Sequence, residues 1–417
     1  MKVWMFNNYN MLPEHGPMNR HYYFGKRLRE LGHEPVVFVG SHPHNTDRQL
    51  IEGPKKYQVF QEEPFPWVLV KTVAYGKSRK KQIVSMFQYY KNGKAAAKHA
   101  ANRYGRPDVI LGSSAHPLAA LLAVRLGRKF GCRSVVEIRD LWPESIVALG
   151  VAGAHNPAVL ALRRLEKWLY TQADAIVFTQ EGAYDYILER GWEKEVPRSK
   201  VYYVNNGVDL DLFYYNQEHF QWEEPDLEDP ETFKIVYTGS VRKANGLVQL
   251  VECAEALRGE KKLKFLAYGT GGDLDELRKR CQQEGLTNLS FKGPVEKKYI
   301  PGILARCDAT LLNYAPESVK LFRFGNSQNK LFEYLASGKP VLTNVKLSYN
   351  PADRRRCCYA AVSPDGEGYA AAVLTLYRLS PEEYEEACRA AIKTAEEYDF
   401  KNLTEKLLKA LEGEEPR

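Results

Sequence analysis

The chain has 417 residues, of which 44% are hydrophobic and 27% charged, with a formal net charge of +7. This length predicts two or three domains with ample core, and the composition is that of a soluble globular protein. No apolar run approaches the ~20 residues needed to span a bilayer. The start, Met1-Lys-Val-Trp-Met-Phe6, is too short and too soon polar for a signal peptide. Seven cysteines without CxxC spacing argue for a reducing, cytoplasmic setting and against a disulfide scaffold or zinc site.

Residues 2–6 read as a first buried strand. A polar loop containing Gly16 follows, then a helix from about Asn19 to Leu31 that Gly32 ends. Pro35–Val39 reads as the next strand. Strand, loop, helix and strand in that order open a doubly wound parallel sheet. The loop lacks G-x-G-x-x-G, so there is no dinucleotide fingerprint, and Gly16 alone reads equally as a turn.

From Lys71 to Arg106 there are ten Lys or Arg and no Asp or Glu. Ile83, Met86, Phe87 and Tyr90 recur at helical spacing behind Lys77, Arg79, Lys80 and Lys81. Such a stretch suits an anionic membrane surface. It also suits a core-facing stripe with a solvated basic face. Nucleic acid is the weakest of the three readings, because no zinc finger, RRM or KH signature accompanies it.

Pro107–Leu111 reads as a strand, and a helix runs from about Leu118 to Phe130. Ser134–Ile138 is another strand, ending in Arg139-Asp-Leu-Trp-Pro-Glu144. Strand carboxyl ends face the ligand crevice in open α/β sheets, which puts His116 and the 139–144 loop at one mouth. His116 there reads equally as a cap or packing residue. The Asp140 carboxylate suits acceptor activation. A helix (156–170), a strand (175–179), a helix (182–190) and a strand (201–204) follow. The acidic, proline-containing stretch 218–231 reads as a linker.

Alternation restarts with Phe233–Tyr237, whose loop carries Gly239, Arg242 and Lys243. Arginine suits phosphate because its planar fork donates two hydrogen bonds at once. Leu263–Ala267 leads into Gly269 and Gly271, which let backbone approach a ligand. Strand-and-turn 288–295 ends at Val295, and Ala309–Leu312 is one more strand. Phe324-Gly-Asn-Ser-Gln-Asn-Lys-Leu-Phe-Glu-Tyr-Leu-Ala-Ser-Gly-Lys-Pro340 then reads as a loop entering a helix. Asn326 or Ser327 serves as N-cap, Leu331, Tyr334 and Leu335 form the apolar face, and Gly338 ends the helix. Lys330 falls in the first turn, where the dipole disfavours a cation unless an anion docks there. The plain alternative is a solvated surface lysine. The chain ends in two helices, 381–398 and 400–411.

Residues 327–340, with Asp140-Leu-Trp-Pro-Glu-Ser145, Arg20-His-Tyr-Tyr and Asn205–Phe213, resemble retaining nucleotide-sugar glycosyltransferases of family 4. The similarity is greatest to the bacterial branch that builds surface polysaccharides, which includes L-fucosamine transferase-like proteins. It implies the GT-B fold: α/β, two Rossmann-like domains facing a central cleft. The expected division is 1–213 with 399–417 packing back, and 214–398 as the donor domain. By position, Lys330 and Arg242 would meet the donor diphosphate and Glu333 the ribose. Gly16, Gly239, Gly269, Gly271, Val295, Ser327, Asn329 and Leu331 would complete donor binding. Arg139 stands where many members carry a histidine that touches the transferred sugar, and His116 sits one strand earlier. Asp140, Arg139 and His116 are the catalytic candidates. Gly325 occupies the first glutamate position of the family's Glu-x7-Glu pattern.

The resemblance implies a nucleoside diphosphate sugar donor, with UDP favoured, and a saccharide or polyprenyl-linked acceptor at the inner-membrane surface. No nucleic acid partner is expected. Nor is a cofactor or metal, since no DxD-type pair ends a strand. A GT-B-fold nucleotide-sugar epimerase and a non-catalytic sugar-nucleotide-binding subunit of a membrane assembly are the rival readings.

Overall fold

In a computed structural model, the described residues are 1–12, 19–44, 46–76, 78–114, 116–148, 150–315, 319–320, 322–416. They divide into two compact units, Met1–Asn205 with Phe400–Arg417, and Asn206–Asp399. The sequence-based boundary after residue 213 therefore moves to Asn205. The reason is local: Val208 bridges Asp399, and the Asn206 amide donates to the Ser327 carbonyl at 2.6 Å.

The first unit holds β1 (Lys2–Asn7), β2 (Glu34–Gly40), β3 (Tyr57–Gln61), β4 (Trp67–Val70), β5 (Val109–Ser113), β6 (Arg133–Ile138), β7 (Ala175–Phe178) and β8 (Val201–Tyr203). Their order in the sheet is β3-β4-β2-β1-β5-β6-β7-β8. All pairs are parallel except β3 with β4. The sequence reading had no element between Val39 and Lys71, where β3 and β4 form the edge. Strand β3 is only half-buried and carries no clean alternation, so its signal was weak.

Trp4, Phe6, Phe38, Val68 and Val70 pack under Tyr89, Ala96, Ala97 and Ala100 of the helix Arg79–Tyr104. That helix presents its small residues inward. Ile83, Val84 and Phe87 stay 55%, 49% and 60% exposed, so the core-facing reading of Ile83 and Phe87 does not hold.

The second unit holds β9 (Phe233–Thr238), β10 (Leu263–Tyr268), β11 (Leu289–Gly293), β12 (Ala309–Leu312), β13 (Val341–Thr343) and β14 (Cys358–Ala360). The order is β11-β10-β9-β12-β13-β14, parallel throughout. The acidic stretch before β9 is no free linker. Lys292 pairs with Glu224 at 2.9 Å and with Asp226 at 2.5 Å, and Lys264 and Arg306 bind Asp226 and Glu228. A helix, Leu210–His219, also occupies part of it.

Each sheet reverses direction once beside its first strand, between β1 and β5 and between β9 and β12. Loops at the carboxyl ends diverge there and leave a crevice. In the second unit the loops after β9 and β10 cross backbone to backbone. Gly239 N–H donates to Tyr268 at 2.9 Å and Val241 N–H to Thr270 at 2.9 Å. Gly269 has φ +151°, and a Cβ on it would lie 1.7 Å from the Gly239 carbonyl oxygen. A Cβ on Gly271 would lie 1.9 Å from that of Val241. These glycines admit neighbouring backbone, and this close approach explains them without a ligand.

Gly269→Ala is expected to destabilise the second unit by about 3 kcal/mol or more, whereas Gly272→Ala, with nothing within 4 Å, should change it by less than about 0.5 kcal/mol. Thermal and urea unfolding of the two variants would measure the contrast.

Candidate active site

In the second unit the helix Asn329–Ala336 is preceded by Gln328 at the N-cap and so begins one residue later than an N-cap at Ser327 would give. The Asn326 side chain does not cap it. Its Oδ1 accepts from Gln328 N–H at 3.0 Å, closing a turn just before the helix. Leu331, Tyr334 and Leu335 are buried as the spacing required, and Gly338 has φ +69°. Leu331 therefore offers no side chain to a ligand. The Tyr334 hydroxyl accepts from Thr238 N–H at 2.8 Å and lies 3.1 Å from the Thr238 carbonyl, fastening the helix to the end of β9.

That attachment sets Lys330. Its ammonium donates to the Tyr237 hydroxyl at 2.9 Å and lies 4.3 Å from that ring's centroid. Tyr237 passes the chain on, donating to the Ser240 carbonyl at 2.8 Å. A Cβ on Gly239 would stand 2.8 Å from Nζ, so glycine leaves the room that the ammonium fills. Burial pulls Lys330 down to about 7, and Glu333 only partly opposes this. Glu333 pairs with Lys297 at 3.0 Å. Arg242 is exposed in the loop after β9, Val295 is half-buried beyond β11, Asn329 is exposed, and Ser327 is half-buried. Gly325 has φ +131°, a backbone state that L side chains rarely adopt. A glutamate there would be strained, so the first acidic position of the family pattern is closed by conformation as well as by sequence.

In the first unit, Arg139 and Asp140 follow β6, and Asp140 is exposed. Crowding by surrounding protein pushes its carboxyl upward while Arg139 pulls it down. Its charge reaches Tyr9, whose ring lies 5.6 Å from that of His116. His116 is fully buried, and neither ring nitrogen has a partner among the described residues. Burial drives it to about 3, so it stays neutral at physiological pH. It stands at the N-cap of the helix Pro117–Phe130 without bonding it, so the capping role falls away.

Beneath lies a buried network that the sequence reading did not find. Arg20 Nε donates to Glu137 at 2.8 Å, Ser113 donates to Glu137 at 2.7 Å, and His21 Nε2 lies 3.2 Å from it. Arg20 also binds the Val204 carbonyl at 2.7 Å and that of Asn205. Burial would raise the Glu137 carboxyl, but Arg20 and His21 outweigh it and hold it well below the usual range. The network locks the ends of β5, β6 and β8 around the loop that carries Arg139 and Asp140.

More polar groups surround this crevice than the sequence indicated. Asn10 Nδ2, His42 Nε2, Ser114 Oγ and Trp142 Nε1 are buried without partners among the described residues. They come from loops after β1, β2, β5 and β6, and only the register of the sheet brings them together. Buried polar groups are normally paired, and such a concentration suits a ligand rich in hydroxyls. Gly16 lies outside the described residues. No group of His, Cys, Asp or Glu suited to a metal occurs among them.

Residues 19–212 match the family model described as Glycosyltransferase Family 4, and residues 232–378 the model described as Glycosyl transferases group 1. Both halves of the chain are thus matched by glycosyltransferase models, the first half by that of family 4. It is 26% identical over 245 residues to WbjE of Pseudomonas aeruginosa, named as a probable glycosyltransferase, an alignment covering 58% of each chain. It is 27% identical over 221 residues to WcaI of Escherichia coli, whose name places it as a glycosyl transferase in colanic acid biosynthesis, covering 51% of this chain and 52% of that one. The chain spans somewhat over half the length of these curated relatives. Among solved structures, the sucrose-phosphate synthase of Thermosynechococcus elongatus superposes with TM-score 0.68 at 14% identity, over 98% of this chain and 97% of that one. Anabaena HepE in complex with UDP gives 0.67 at 14% identity, over 99% and 100%. The fold is GT-B, with two parallel-strand α/β domains.

A diphosphate can be held by Lys330 only as the ammonium, and binding must raise its pKa. Affinity for a nucleoside diphosphate should therefore fall as pH rises from about 6 to about 8, with proton uptake on binding. Calorimetric titration in buffers of differing ionisation enthalpy reads this directly. In Lys330→Gln the pH dependence should vanish.

Proposed function

We propose that the protein is a retaining glycosyltransferase of surface polysaccharide biosynthesis. It moves a sugar from a nucleoside diphosphate, UDP favoured, to a hydroxyl of a saccharide or polyprenyl-linked acceptor. The observation that carries this reading is Lys330, a half-buried ammonium in the first turn of a helix, held over Tyr237 in space left by Gly239. This placement costs energy without an anion and is repaid by one. As the anomeric C–O bond breaks, negative charge gathers on the leaving diphosphate. Lys330, the helix N-terminus and the exposed Arg242 stabilise it without reorganising. With that clamp in place no metal is needed. Glu333 exchanges Lys297 for the ribose hydroxyls.

Asp140 accepts or directs the acceptor proton from the first unit, and Arg139 partly offsets the upward push of burial on its carboxyl. Neutral His116 and the buried polar groups that follow β1, β2, β5 and β6 bind acceptor hydroxyls. No covalent nucleophile is assigned. The UDP named in the HepE complex supports uridine.

The helix Arg79–Tyr104 supports a site of work at the cytoplasmic membrane face. Exposed Ile83, Val84 and Phe87 stand beside exposed Arg79, Lys80 and Lys81. This pairing of apolar and basic side chains suits an anionic headgroup layer. No helix of the described residues is long and apolar enough to cross a membrane.

The test is thermal stability against UDP-, GDP-, ADP- and dTDP-sugars in EDTA. Wild type should be stabilised by UDP-sugars, by about 2.7 kcal/mol at a hundredfold excess over Kd, and Lys330→Ala should lose the effect. Silence toward every nucleotide from a folded sample would favour a non-catalytic scaffold. Turnover of donor alone to an isomer would favour an epimerase.

A further inference from the structure

A cavity of about 310 Å³ lies at the amino ends of β1 and β2, the edge opposite the loops that carry Asp140 and His116. Its size is at the lower end of the range for small-molecule sites, roughly 300–1,000 Å³. Trp4, Phe65 and Tyr104 supply aromatic lining. Trp4 is fully buried, and its indole N–H has no hydrogen-bond partner among the described residues. Buried tryptophan N–H groups usually have one.

The charges in the wall balance. Lys2, Arg29 and Arg103 face Glu34, Glu62 and Glu63. Lys2 lies 3.9 Å from Glu34, and Arg103 and Tyr104 both bind Glu62. Arg29 and Glu63 carry no ion pair among the described residues, leaving one exposed donor fork and one exposed carboxylate.

We propose that this cavity is a second ligand site, remote from the candidate active site, that takes a single neutral pyranose ring. The half-exposed Tyr104 ring stacks on the C–H face of a sugar, the Glu63 carboxylate accepts its hydroxyl protons, and the Arg29 guanidinium donates to its oxygens. The balanced charge gives no preference for phosphate or another strong anion. The proposal does not depend on the reading of Lys330 or Asp140.

The experiment titrates the full chain with a panel of neutral methyl glycosides in the presence of saturating UDP, followed by saturation-transfer NMR and calorimetry. One or more should bind. The double variant Arg29→Ala/Glu63→Ala, altered only at exposed positions, should weaken binding about tenfold. Asp140→Asn and Lys330→Ala should leave it unchanged. Three results would overturn the proposal: no glycoside binding, binding unaffected by the double variant, or binding lost in Asp140→Asn. Preferential binding of inorganic phosphate, abolished by the double variant, would overturn the choice of a neutral ligand.

Discussion

A lysine ammonium half-buried at the positive end of a helix is unfavourable until an anion joins it. The neighbourhood of Lys330 is arranged around that constraint. Tyr334 ties the helix to Thr238, so the ammonium cannot swing away with the helix. Tyr237 gives it an oxygen and an aromatic face, both weaker partners than a carboxylate. Gly239 clears the space. A carboxylate in direct contact would have neutralised the charge and spoiled the site for phosphate, and Glu333 is instead engaged by Lys297.

The first unit solves a different problem. Buried polar atoms without partners among the described residues follow four of its strands, and these need a rigid frame. The frame is ionic: Glu137 is buried and saturated by Arg20, His21 and Ser113. Removing one member of such a set typically costs about 3–5 kcal/mol, because the other is left charged and unpaired. The loop bearing Arg139 and Asp140 thus departs from a strand end that cannot shift cheaply.

Much of this was legible from the sequence. Alternating strand and helix signals located β1, β2, β5 to β12 and the helix behind Lys330, because buried parallel strands and amphipathic helices have distinct periods. What was not legible depended on tertiary contact. Ile83 and Phe87 recur at helical spacing, but spacing does not say which side of the helix meets the sheet. The core side proved to be Ser85, Tyr89, Gly93 and Ala96. Gly269 and Gly271 read as ligand-facing because glycine is the residue of close approach, and here the approach is to backbone. The acidic stretch before β9 read as a linker because its lysine and arginine partners lie far along the chain. Asn326 was expected to cap the helix, but its side chain bonds a turn instead. The buried polar atoms without partners among the described residues come from four separate loops and have no sequence signature.

The crossing of the loops after β9 and β10 bears on how this scaffold can diversify. Where two backbones touch, neither loop can change shape alone, so positions 239, 269 and 271 behave as one inherited unit. Variation is confined to side chains that project from that fixed weave, namely Ser240, Arg242, Lys243 and Ala244. A library aimed at altered donor preference should randomise those four and leave the glycines untouched. New specificity would then be written in chemistry on an unchanged backbone.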